Sequence, residues 1–274
     1  MPVIGPLWRR APAWRLCLVS AVAFTGLAAM FPPAIPHWQF LHQGARTTDP
    51  SAHYAALPAR ATGDTGMLRL PPMDAGRQGI VPAAGRLLPL PTGTWHELAL
   101  AREPGPETVQ ITVLDRIDGN HLTGLIISTA PIPQSPSAGL VGEPPSCSNP
   151  DRIAGHIMQA QPGDSPLTHE CWSLTLADMH RLANDKRASE LTQAVVSQLG
   201  SMNIAMPVNM LVVATMSSDD NGWMLNRIFL PSERPGAAKR VQDWAVKFFP
   251  AIQKGFARTL TAADLPPSVT RDPA

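Results

Sequence analysis

Thr108-Val109-Gln110-Ile111-Thr112-Val113-Leu114 alternates apolar with polar side chains: Val109, Ile111 and Val113 fall on one side, Thr108, Gln110 and Thr112 on the other. Successive side chains of a strand point to opposite faces, so this period of two predicts a half-buried strand. Asp118-Gly119-Asn120 then supplies a turn, and the near-continuous apolar run at 122–129 reads as a central strand. Upstream, residues 94–102 read as another strand, closed by Pro104-Gly105-Pro106. Three strands joined by short turns make an antiparallel meander.

A second group follows. Trp172, Leu174 and Leu176 alternate with Cys171, Ser173 and Thr175. Asp185 is placed to cap a helix in which Leu191, Val195 and Leu199 recur every four residues, and Gly200 is expected to stop it. Residues 210–216 and 223–230 flank Asp219-Asp220-Asn221-Gly222, and Asn-Gly between apolar runs is a hairpin signal. A last amphipathic helix is expected over 236–260, with Val241, Trp244, Ala245, Phe248, Phe249, Ile252 and Phe256 on one face. Pro250 is expected to kink it near Phe249. The order of elements predicts an α+β fold: an antiparallel sheet of about five or six strands, with two main helices packed on one of its faces.

The amino-terminal region predicts an address. Arg9, Arg10 and Arg15 precede residues 16–31, a run of sixteen with no charge and no proline; Pro32 and Pro33 close it, and the next charge is Arg46. Basic residues on one flank alone give a membrane segment its direction, amino terminus in the cytoplasm. We expect one transmembrane signal-anchor over 11–36, with the lipid bilayer as its partner, after a cytoplasmic tail of 1–10. Trp14 and Trp38 bracket it as interfacial aromatics do. Gly26 and Ala28 leave open a cleavage site with small residues at −3 and −1. Residues 37–86, broken by Pro58, Pro71, Pro72 and Pro82, read as a disordered tether. The folded domain is expected over 87–262, with a disordered tail at 263–274. On this layout the domain faces the periplasm of a bacterial inner membrane.

With 44% hydrophobic residues in 274, the chain can build a sizeable core. A formal net charge of +1, no Gly-x-Gly-x-x-Gly and no Walker-type loop give no reason to expect nucleic acid or a nucleotide. No cofactor is expected. Of three cysteines, Cys17 lies in the apolar run, leaving Cys147 and Cys171, which in an exported domain read as a disulfide.

Candidate chemistry concentrates near those cysteines. Gly163-Asp164-Ser165-Pro166-Leu167 resembles the Gly-Asp-Ser-Leu nucleophile block of the lipase and esterase family of that name, with Asp178 and His180 as notional partners. The hydrophobic strand that normally leads into such a block is replaced by Gln159-Ala160-Gln161-Pro162, and a surface turn accounts for the residues. His156, His169, Glu170 and His180 lack metal-ligand spacing, so no metal site is expected. Asp219-Asp220-Asn221 lacks the remainder of a calcium loop. The expected function is therefore a non-catalytic binding or assembly module of the cell envelope, acting on an envelope protein partner that the sequence does not name. The alternative is an envelope hydrolase built on Ser165, His169, Asp178 and His180.

Overall fold

The computed structural model describes residues 67–72, 76–103, 107–133, 147, 149–158, 168–185 and 188–266. Its centre is an eight-stranded, wholly antiparallel sheet. In chain order the strands are β1 (Met67–Arg69), β2 (Ile80–Ala83), β3 (Arg86–Pro89), β4 (His96–Glu103), β5 (Val109–Asp118), β6 (His121–Pro131), β7 (Ala154–Met158), β8 (His169–Asp178), β9 (Asn209–Asp219) and β10 (Gly222–Pro231). The large sheet runs β1-β4-β5-β6-β10-β9-β8-β7, and β2 with β3 forms a separate hairpin. Helices α1 (Met179–Asn184) and α2 (Glu190–Ser201) connect β8 to β9, and α3 (Ala237–Phe256) follows β10.

Register explains the two cores. One row across the sheet reads Leu114, Ile126, Ile228, Val213, Leu174. These side chains pack against Val81 and Leu88 of the hairpin and against Trp244, Phe248, Ile252 and Phe256 of α3. The row on the other face reads Leu125, Phe229, Val212, Thr175. There Leu125, Phe229 and Val212 pack with Met179 of α1 and with Leu191, Val195 and Leu199 of α2.

Three expectations are corrected here. The sheet holds eight strands rather than five or six, and the described residues form mostly antiparallel sheet with three α-helices. The helices lie on both faces, because β9 is apolar on both sides and each side needs cover. Part of the supposed disordered tether is strand: β1 and β2 lie within 67–83. Pro82 is tolerated because the hairpin has only two strands, and Pro82 is exposed in it. Among the described residues no helix is long and apolar enough to cross a membrane. The segment 11–36, expected to do so, lies outside the described residues.

Helix boundaries have local causes. Ser189, not Asp185, caps α2, its hydroxyl accepting from Thr192 N–H at 3.2 Å. Gly200 does not stop that helix; the chain leaves it through Asn203, whose φ of 57° is left-handed. Helix α3 runs on through Pro250. The carbonyl that proline leaves without an amide partner belongs to Val246, a residue on the exposed side of the helix, 55% exposed.

Candidate functional site

Strand geometry decides where the sequence candidates stand. His169 opens β8 and Asp178 closes it, nine residues on. At roughly 3.3 Å per residue they are separated by about 30 Å. The half-buried His169 receives support from Ser218, whose Oγ accepts its backbone N–H at 3.1 Å. Asp178 is the N-cap of α1, Oδ1 accepting Arg181 N–H at 2.8 Å. His180 is exposed on that helix, with Nε2 3.4 Å from Asn184 Nδ2. Ser165 lies outside the described residues. The structure thus keeps Asp178 and His180 at one end of β8 and His169 at the other.

The metal alternatives disperse in the same way. His156 and Glu170 share one face, since His156 pairs with Trp172 two residues along β8, but His169 falls on the opposite face and His180 lies beyond the far end of that strand. Glu170 accepts from Gln253 Nε2 of α3. Among the described residues no group of three or more His, Cys, Asp or Glu is placed to hold a metal ion. Asp219 is spent on its own turn, accepting Asn221 N–H at 2.7 Å.

Cys147 and Cys171 stand as a disulfide pair, their Cα atoms 5.9 Å apart. Both are buried beside Met216, with Trp223 and Leu225 packed around them. Arg152 fastens the same segment, Nη1 donating to Cys147 O at 2.7 Å. The bridge therefore ties residues 147–153 to the α2-side face of β8, and β7 follows directly.

One polar constellation escaped the sequence reading. His96 and Asp115 face each other across β4 and β5, Asp115 only 1% exposed. A register shift between Glu97 and Ala99 turns Leu98 into the core beside them. Arg77 pairs with Glu97 at 3.0 Å. Pro71, Leu98, Gln198 and Met202 close a cavity of about 10 Å³ around this group, room for roughly one water. A carboxylate following Val113-Leu114 inside a strand was the available signal. A larger apolar cavity of about 30 Å³ lies where α1 and α2 meet the sheet, lined by residues such as Val113, Phe229, Leu182 and Val195. On the measure that gives the first cavity one water, it has room for roughly two or three, a gap in the packing between helices and sheet.

Two arginines complete the electrostatics. Arg116 covers the Trp95 ring at 5.1 Å and donates to Thr92 O and Thr123 O, each at 2.8 Å. Burial lowers its pKa, and Asp118 partly offsets this. Arg86 covers Phe256 at 4.2 Å and bonds to Phe256 O and Asn221 O, tying the β2–β3 hairpin to α3 and to the β9–β10 turn. Burial lowers its pKa too; Asp219 raises it and Arg258 lowers it further. Both guanidiniums donate to backbone carbonyls, and Arg116 Nε donates also to Thr123 Oγ1 at 3.2 Å, which suits bracing of the fold. Comparison of the chain with protein-family models, with curated proteins and with solved structures finds no match.

Proposed function

We propose that the chain is a non-catalytic binding or assembly module of a bacterial cell envelope, held at the inner membrane by residues 11–36, with its sheet domain in the periplasm. The observation that carries the reading is the one-sided placement of Arg9, Arg10 and Arg15 before an uncharged run of sixteen residues. The Cys147–Cys171 pairing adds support, since disulfides persist in oxidising compartments. Preference for binding over hydrolysis rests on the described candidates: Asp178 caps a helix, and His169 stands at the far end of the same strand.

Alkaline phosphatase fused after Ala274 tests the address. An active fusion recovered with the inner membrane is expected; a silent fusion, or protein freely soluble in the cytoplasm, overturns it. Cross-linking in intact membranes tests the role. A discrete adduct that disappears when the sheet domain is deleted is expected, and recovery of uncross-linked protein alone argues against an assembly role.

A further inference from the structure

A sheet ends at its edge strands, and their unpaired N–H and C=O groups template another strand unless something blocks them. The two edges of this sheet differ. The β1 edge has three residues, Met67–Arg69, and ends on a charge. The β7 edge is Ala154-Gly155-His156-Ile157-Met158, and Gly155 through Met158 are all exposed. Among the described residues no strand pairs with its outer side. From Ile153 to Met158 there is no Lys, Arg, Asp, Glu or Pro, so the charge and proline that block edge pairing are missing from this strand. Instead Ile153, Ile157 and Met158 are exposed apolar side chains, at 51%, 39% and 41%.

We infer that β7 is a self-association edge: two copies of this chain pair their β7 strands antiparallel about a two-fold axis through His156, joining two eight-stranded sheets into one. The strand complements itself in that register. Gly155 faces the partner's Ile157, so the smallest side chain meets a branched one. Ala154 faces the partner's Met158, and His156 faces its own copy. Gly155 and Ile157 share one sheet face while Ala154, His156 and Met158 share the other, following the pairing with β8. The disulfide at Cys171, whose register partner is Ile157, holds the strand behind this edge in place. Five residues a side is a small contact, well below the roughly 1,200 Å² of a stable interface, so the dimer is weak. This inference rests on the assembly reading and names its partner as a second copy.

Register-specific cross-linking of the full chain in detergent micelles tests it, in a Cys17→Ser background. Residues directly opposite in an antiparallel pair have Cβ atoms about 4.5–5.5 Å apart, while diagonal neighbours lie at about 7–8 Å. His156→Cys is therefore expected to give a disulfide-linked dimer under mild oxidation at least tenfold faster than Ile157→Cys or Ala154→Cys. Adding Ile157→Lys to the His156→Cys chain is expected to abolish the dimer with circular dichroism unchanged, because that side chain is exposed. Equal rates at the three positions, or no dimer from His156→Cys, overturns the self-pairing. Loss of self-pairing with the membrane adduct retained leaves the assembly role standing with a different partner. Loss of the adduct as well refutes both.

Discussion

Replacing Gly255 by alanine sets two effects of known sign against each other. Gly255 lies inside α3 and is buried where the helix crosses β3. In a helix interior alanine is favoured over glycine by about 1 kcal/mol, so propensity alone predicts stabilisation. A Cβ on Gly255, however, would overlap Leu87 O and lie 3.2 Å from the Leu87 carbonyl carbon and 3.4 Å from Pro89 Cδ. Those atoms belong to the backbone and a proline ring of β3, pinned by the bonds of Arg86 to Phe256 O and Asn221 O. The helix must therefore shift as a unit, and overpacking of this kind costs about 1–3 kcal/mol, more against rigid atoms. The net expectation is destabilisation of about 1–2 kcal/mol, a fall in Tm of roughly 2–8 °C for a domain of this size. Gly200, next to last in α2, is the internal control: a Cβ there meets nothing within 4 Å. Gly200→Ala should raise stability by about 0.5–1 kcal/mol. Thermal unfolding of both variants by circular dichroism reads the difference. Should both substitutions raise Tm, the close approach of α3 to β3 is wrong.

Gly124→Ala places a Cβ 2.6 Å from Cη2 of the fully buried Trp95. A destabilisation of about 1–3 kcal/mol is expected, and an unchanged urea midpoint would contradict it. Cys171→Ser opens the Cys147–Cys171 cross-link, separated by 24 residues in sequence. The chain-entropy model gives about 3 kcal/mol for a loop of that size, or roughly 6–12 °C in Tm; in a Cys17→Ser background, two thiols reacting with maleimide in the unreduced protein unfolded in urea would refute the staple itself. Asp264 is held at about 2, below its ordinary 3.8, by hydrogen bonds from Lys254 and then Thr261. A depressed carboxylate contributes stability that is complete above its unfolded pKa and is lost as pH falls through the folded one, here between about 4 and 2. Asp264→Asn should remove that part of the acid transition, and identical acid curves for the two proteins would dismiss the interaction.

The long strands were legible because each repeats its signal. In β5, β6, β9 and β10, ten or eleven residues each, apolar runs flank the turns Asp118-Gly119-Asn120 and Asp219-Asp220-Asn221-Gly222. β1, β2, β3 and β7 have three to five residues, too few to show a period. Their existence is tertiary: β1 forms on β4, β7 on β8, and the β2–β3 hairpin by burying Val81 and Leu88 against the α3 face. The candidate site fared differently. Nearness in sequence to the cysteine bracket suggested that His169, Asp178 and His180 could meet, yet a disulfide fixes only the point on β8 where Cys171 stands. An extended strand carries its two ends apart. Asp115, in contrast, was a visible anomaly within an apolar run, and the bulge beside it could not be read from spacing.

The error about where the helices sit has a physical lesson with a functional consequence. A sheet covered on one face alternates, and one covered on both reads as continuous apolar sequence. Met210-Leu211-Val212-Val213-Ala214 is continuous, and every one of these residues is buried. That run demanded a layer on each side, which α3 with the β2–β3 hairpin supplies on one face and α1 with α2 on the other. Once both faces of the central strands are occupied, they offer no surface to a partner. Recognition by the sheet is then confined to its two ends. One of these is a strand of three residues ending on an arginine; the other is an uncharged strand of five, with exposed Ile157 and Met158 and a neighbour held by a disulfide. Of the two, only β7 combines length, absence of charge and a fixed backing strand, which is why an assembly role on this fold points to that edge.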